Sequence, residues 1–155
     1  MNIESETLEL AKQLNESPQI GKLSTKDIRK ILTNYQTLIL FEQDTIKGLV
    51  GYKALGDEYC EISPIFIKKQ YQGLGLGSFM LDEFLKLHSG KHILACTRNE
   101  ILVKLLVKKG FIETSLKKLP LNVMLRHLMS VRLYRIYDNY KKGILNGWKY
   151  YLKTA

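Results

Sequence analysis

Gln72-Gly73-Leu74-Gly75-Leu76-Gly77 is the stretch whose reading decides the fold of this chain. Ahead of it runs Ile62-Ser63-Pro64-Ile65-Phe66-Ile67, short, apolar and rich in β-branched residues, which reads as a buried strand. Behind it, Leu76, Met80, Phe84 and Leu87 recur on one helical face, with Ser78, Asp82 and Lys86 on another. The glycines therefore occupy a strand-to-helix turn. Glycine admits a backbone with φ > 0 and lets a ligand approach with no Cβ in the way. The first amides of the helix have no partner inside it and lie at the positive end of its dipole. A turn of this kind suits an anion, most often a phosphate.

Two common phosphate patterns are excluded. A mononucleotide loop needs a Lys directly after the last glycine, and Ser78 stands there. A dinucleotide fingerprint needs Gly-x-Gly-x-x-Gly; counted from Gly73 the last position is Ser78, and from Gly75 it is Met80. The pattern that is met is Gln/Arg-x-x-Gly-x-Gly/Ala, at Gln72, Gly75 and Gly77. Here the chain resembles the GNAT family, the GCN5-related N-acetyltransferases. The longer phrase Ile65-Phe66-Ile67-Lys68-Lys69-Gln70-Tyr71-Gln72-Gly73-Leu74-Gly75-Leu76-Gly77-Ser78 carries the resemblance. It implies that Gln72, Gly73, Leu74, Gly75, Leu76, Gly77 and Ser78 hold the pyrophosphate of acetyl-CoA. It also implies that the strand backbone at Ile65, Phe66 and Ile67 meets the pantetheine arm and offers an oxyanion donor. The bland alternative is a glycine-rich turn with only a packing role.

A second segment resembles the same family. Asn99, Leu105, Gly110 and Phe111 match Asn-x-x-x-x-x-Leu-Tyr-x-x-x-Gly-Phe, in which the Asn contacts the cofactor. The family tyrosine, which protonates the leaving thiolate, is Leu106 here. Leucine has no proton to give, so an acid must come from elsewhere. The resemblance spans about residues 37–118 and implies an α/β (α+β) acyl-CoA N-acyltransferase fold: a mixed, mostly antiparallel central sheet flanked by helices.

The rest of the chain fits one such core with a tail. Residues 4–15 read as a helix with Leu8, Ala11 and Leu14 on one side, broken by Ser17-Pro18 and Gly21. Ser24 caps a second helix, with Asp27 three residues on and Ile28, Ile31 and Leu32 as its stripe. Residues 37–41 and 46–55 form a hairpin, and Gly56-Asp57 turns the chain into the key strand, 58–67. Pro64 marks an edge or a bulge there. The family's first strand is reduced or absent. A strand at 92–96 follows the glycine-loop helix and should run parallel to the key strand. Thr97 and Glu100 read as a capping box for a helix to about Lys109, with Ile101, Leu102, Leu105 and Leu106 apolar; Gly110 ends it and a strand follows over 111–118. Residues 121–142 read as one helix with Leu121, Leu125, Leu128 and Met129 apolar, ended by Gly143. The segment from Ile144 to Leu152 is open between strand and helix. The expected organisation is a core, 1–118, and a basic extension, 119–155, packed on the same domain or on a second copy of the chain.

Composition bounds the alternatives. The chain has 155 residues, enough for one domain with a real core, and no apolar run long enough to span a membrane. The acidic start, Met1 to Glu6, lacks an apolar leader, which points to a cytoplasmic protein. Cys60 and Cys96 lie on expected strands without metal spacing and read as buried thiols. The formal charge of +9 is uneven: residues 1–60 carry 7 basic and 9 acidic side chains, whereas residues 114–155 carry 9 basic and one acidic. A basic, tyrosine-bearing tail over 117–153 fits either an acidic partner such as RNA or a solvated face.

Amine acetylation needs a base, an oxyanion donor and a proton for the leaving thiolate. Glu61, eleven residues before Gln72, is the candidate base, since the resemblance implies a catalytic glutamate at that spacing; partial burial would raise its pKa and suit it to the task. Its alternative is a structural ion pair. Ser63, two residues on, shares its strand face and would hold a water. Tyr134, with Tyr137 and Tyr140, forms the pool for the missing acid; the alternative is a core stripe. His88, His92 and His127 are scattered and form no metal pattern. Two functions of different class follow: an acetyl-CoA-dependent N-acetyltransferase acting on an amine, or an RNA-binding or ribosome-associated module with a degenerate or RNA-directed core.

Overall fold

The computed structural model describes residues 3–16, 24–34, 36–43, 45–130 and 148–155. Six strands form one mixed sheet: β1 (Leu38–Glu42), β2 (Thr45–Ala54), β3 (Tyr59–Ile67), β4 (His92–Thr97), β5 (Ile112–Thr114) and β6 (Lys149–Lys153), in the order β1-β2-β3-β4-β6-β5. The helices are α1 (Ile3–Glu16), α2 (Thr25–Leu32), α3 (Leu76–Leu87), α4 (Glu100–Lys108) and α5 (Leu121–Ser130). Among the described residues no strand precedes α1. The chain divides into two compact units, Met1–Tyr52 with Ile62–Ser89, and Lys53–Glu61 with Gly90–Ala155.

The first unit builds its core from α1, α2 and the sheet: Leu10, Ala11, Leu14, Ile28, Ile46, Leu49 and Phe66 pack together. Leu8, expected on the inner side of α1, is exposed, and Leu10 takes that role. The Ser24–Asp27 capping box forms in both directions, so α2 starts where its sequence places it. On α3 the buried ridge is Met80, Leu81 and Phe84; Leu87 points to solvent. Two glycines of β2 let it approach β3 closely. A Cβ at Gly48 would come within 2.8 Å of the Phe66 carbonyl oxygen, and one at Gly51 would overlap the Ser63 carbonyl. Pro64 follows a cis Ser63–Pro64 bond inside β3, the third strand of the sheet and not an edge.

The second unit is closed by the last described strand. β6 pairs antiparallel with β4, from Ile93↔Lys153 to Thr97↔Lys149, and with β5, from Ile112↔Leu152 to Thr114↔Tyr150. Over its described part, Lys149–Lys153, the tail left open between strand and helix is thus a strand. The strand expected over 111–118 shrinks to Ile112–Thr114, because the chain winds into a 3-10 turn at Leu116–Lys118. The cap of α4 is Asn99, not Thr97: its side chain accepts from the Ile101 and Leu102 amides, while the Thr97 hydroxyl accepts from the Asn99 amide. Leu106, where the family tyrosine would stand, is fully buried. Gly110 takes φ +84, and the Phe111 amide closes back on the Leu106 carbonyl. The face of α5 differs from the expected one. Val123 and His127, four residues apart, point inward, and Val123 joins Leu55, Leu94 and Leu119; Leu121, Leu125, Leu128 and Met129 are exposed. Among the described residues no helix is long and apolar enough to cross a membrane.

Candidate active site

The glycine corner lies in the first unit. After Ile67 the chain makes a 3-10 turn, Lys69–Tyr71, and reaches Gly73 at φ +81 and Gly75 at φ +76. Both values fall in the left-handed region, where an L side chain is strained. Nothing lies within 4 Å of a Cβ built on either residue, so space beside them is open and backbone conformation is what requires glycine. Gly75 is the N-cap of α3 and makes no side-chain cap. Its carbonyl accepts from the Ser78 and Phe79 amides at 3.0 and 3.1 Å, which leaves the amides of Leu76 and Gly77 among those a helix cannot satisfy internally. The Gln72 side chain donates to the Ile67 carbonyl at 2.9 Å, tying the loop to the end of β3. No acidic residue occurs from Gln72 to Leu81, and Lys68 and Lys69 precede the loop. This donor set suits a diphosphate: amides at the positive end of a helix, uncrowded by side chains and free of competing carboxylates.

A second constellation lies in the other unit. Glu61 is buried on β3, and its Oε2 takes an ion pair from Lys53 Nζ and a hydrogen bond from His127 Nδ1 at 2.9 Å. Lys53 faces Glu61 because the Leu55 amide donates to the Tyr59 carbonyl at the hairpin end, which sets residue 53 across from 61. His127 arrives from α5. Its ring meets that of Tyr150 edge-on, with centroids 5.6 Å apart. Tyr150 on β6 stands across from Cys96 on β4 in the antiparallel register.

The electrostatics of this cluster overturn one expectation. Burial does push the Glu61 carboxyl up, but the His127 hydrogen bond and the Lys53 charge together outweigh it, and the pKa falls below the ordinary 4.5. Glu61 is therefore a carboxylate at neutral pH. Burial, and then the Glu61 charge, push the Cys96 thiol up to about 12; burial pushes Cys60 up to about 11. Desolvation, with Cys96 beside it, raises the Tyr150 phenol as well.

Of the residues singled out from sequence, Gln72 to Ser78 form one continuous corner in the first unit, and Ile65, Phe66 and Ile67 form the strand that leads into it. Ser63 is half-buried on that strand, two residues beyond Glu61. Asn99 caps α4 with its oxygen. Tyr134, Tyr137 and Tyr140, the expected helix over 131–142, Gly143 and Ile144 lie outside the described residues, as do Ser17, Pro18 and Gly21. No local motif in the sequence marks Lys53 or Tyr150, and His127 stands there only as one of three scattered histidines.

A family model for the acetyltransferase (GNAT) family matches residues 7–111. A search of curated proteins finds no significant match. Among solved structures, a Mycobacterium tuberculosis protein, Rv2747, in complex with CoA and NLQ is similar at a TM-score of 0.73 and 14% identity, over 97% of this chain and 95% of that one. N-acetylglutamate synthase from Neisseria gonorrhoeae, complexed with CoA and N-acetyl-glutamate, is similar at 0.70 and 16%, over 99% of this chain. The chain spans only 33% of the length of that synthase. Ribosomal-protein-alanine N-acetyltransferase from Brucella melitensis is similar at 0.64 and 12%, over 98% of this chain and 96% of that one.

Proposed function

The chain belongs to the acetyltransferase (GNAT) family, and from that premise we propose that it moves an acetyl group from acetyl-CoA to an amine by direct transfer in a ternary complex. The observation that carries the reading is the corner at Gly73 and Gly75: two left-handed glycines with open space beside them at the start of α3. The amides from Gly73 to Ser78 would hold the diphosphate of the cosubstrate, and the strand backbone at Ile65, Phe66 and Ile67 would lie along its arm. Acetyl-CoA supplies an activated thioester. The amine nitrogen bonds to the carbonyl carbon, the carbon–sulfur bond breaks, and one proton passes from nitrogen to the departing sulfur.

Glu61 is ionised and able to take the nitrogen's proton. Ser63 would hold a water on the way. The raised thiol pKa values of Cys60 and Cys96 speak against a covalent acetyl-cysteine, because a nucleophilic cysteine must be a thiolate. For the leaving sulfur, Tyr134 is one candidate acid. Tyr150 has more behind it, since its phenol stays protonated and belongs to the Glu61 cluster. No observation among the described residues favours the RNA reading of the basic tail.

The test is thiol release from acetyl-CoA against a panel of amines, peptides and aminoacyl-tRNA. Release that depends on an amine, with formation of its N-acetyl product, is the expected result. Absence of acetyl-CoA binding in calorimetry would overturn the reading at its root.

A further inference from the structure

Both described contacts of Glu61 fall on one oxygen. Lys53 Nζ and His127 Nδ1 meet at Oε2, and Oε1 makes no contact among the described residues. The side chain that carries this unshared oxygen is only 7% exposed, as against 27% for Lys53 and 5% for His127. A buried carboxylate ordinarily satisfies both oxygens. One that is ionised and anchored twice on one oxygen, with the other uncontacted among the described residues, is arranged for a visitor with a proton to give.

We infer that the two oxygens of Glu61 have separate duties: Oε2 is the anchor, held by Lys53 and His127, and Oε1 is the atom that meets the acceptor amine and takes its proton. Lys53 and His127 are then positioning residues of the transfer, acting through Glu61. The inference rests on the reading of Glu61 as the base. It also gives α5 a duty, since His127 lies beyond residues 7–111, the span the family model matches.

The geometry accounts for why two anchors are present. A single cation would leave the carboxylate free to swing about its last bond, so either oxygen could be occupied. Two donors from different elements, β2 and α5, fix its plane. Opposite a carboxylate, the histidine nitrogen that faces it carries the proton, which settles Nδ1 as a donor. The titratable neighbours are Lys53 from β2, His127 from α5, Tyr150 from β6 against the His127 ring, Cys96 from β4, and Cys60 next to Glu61 in sequence. Of these, only Lys53 and His127 touch the carboxylate.

The experiment uses the full chain with carboxyl-labelled glutamate. The Glu61 carbon resonance is assigned by its loss in Glu61→Gln and titrated in wild type, Lys53→Met, His127→Phe and His127→Gln. Loss of either anchor is expected to move the Glu61 titration to higher pH, with His127→Gln, which keeps a donor, between wild type and His127→Phe. With the amine identified by the panel assay, kcat should fall about 10- to 100-fold in Lys53→Met and His127→Phe, and the acid limb of kcat/KM should move up with the titration. KM for acetyl-CoA should stay put, and His127→Gln should recover part of the rate. Should His127→Phe fail to fold, Lys53→Met and His127→Gln carry the same comparison. Full activity in Glu61→Gln would remove the base itself. An inactive Glu61→Gln beside wild-type rates and pH profiles in both anchor variants would overturn the division of duties alone.

Discussion

The glycine corner and the Glu61 cluster are built on opposite plans. The corner, Gln72 to Ser78, is contiguous, made of main chain, and empty of side chains that matter apart from Gln72. The cluster draws one side chain each from β2, β3, β4, α5 and β6, and its polar contacts cross from one element to another, over 8 residues for Lys53 and Glu61 and over 66 for His127 and Glu61. The corner works through backbone conformation, which a short run of residues can specify by itself. The cluster works through convergence, which only the finished fold can specify. A family pattern therefore marks the first plainly and is silent on most of the second.

The sharpest way to break this contrast is to exchange chemistry without shape. Glu61→Gln should lower turnover by roughly 10²–10⁴-fold, the range of general-base catalysis, while calorimetric affinity for acetyl-CoA holds. An equal loss of affinity would merge the two sites into one. The reciprocal change, Gly75→Val, places a β-branched residue at φ +76. It should weaken acetyl-CoA binding by about tenfold or more, the equivalent of about 1–3 kcal/mol of backbone strain, and leave the Glu61 titration unmoved. Gly51→Ala tests the close approach of β2 to β3, where a Cβ would overlap the Ser63 carbonyl. A loss of about 1–3 kcal/mol in denaturant unfolding is expected.

A smaller effect follows from charge. The folded pKa of Glu61 lies below 4.5, so between that value and 4.5 the unfolded chain binds more protons than the folded one. The stabilisation is fully present above pH 4.5 and drains away as pH falls through the folded value. Stability measured from neutral pH downward should lose this component in Glu61→Gln, where the acid limb becomes shallower. Smallest of all, Asn99→Ala should cost about 1 kcal/mol, the usual worth of an N-cap. If it reduces acetyl-CoA affinity instead, Asn99 belongs with the corner as well as with α4.

What could be read beforehand follows the same division. The capping box at Ser24, the glycine turn, and Gly110 with Phe111 are local devices, and each stands where its residues put it. Register was harder. A two-residue turn at Gly56-Asp57 sets Lys53 opposite Cys60; the observed closing bond, Leu55 to Tyr59, moves it opposite Glu61 and creates the ion pair. The same limit explains α5. Leu121, Leu125, Leu128 and Met129 outweigh Val123 and His127 by hydrophobicity, yet the helix turns the latter pair inward, where the histidine gains a buried carboxylate. The raised pKa expected of Glu61 failed for a related reason: burial was legible, and the two partners that reverse it were not.

The position of β6 carries a consequence for how the molecule is made. β4 and β5 are completed before Lys149–Lys153 exists, yet it is β6 that lies between them. During synthesis on the ribosome each therefore waits with an unpaired row of amides and carbonyls, and this half of the sheet closes as a late, long-range step. Nascent chains stalled short of residue 149 should be the ones that chaperones and proteases meet.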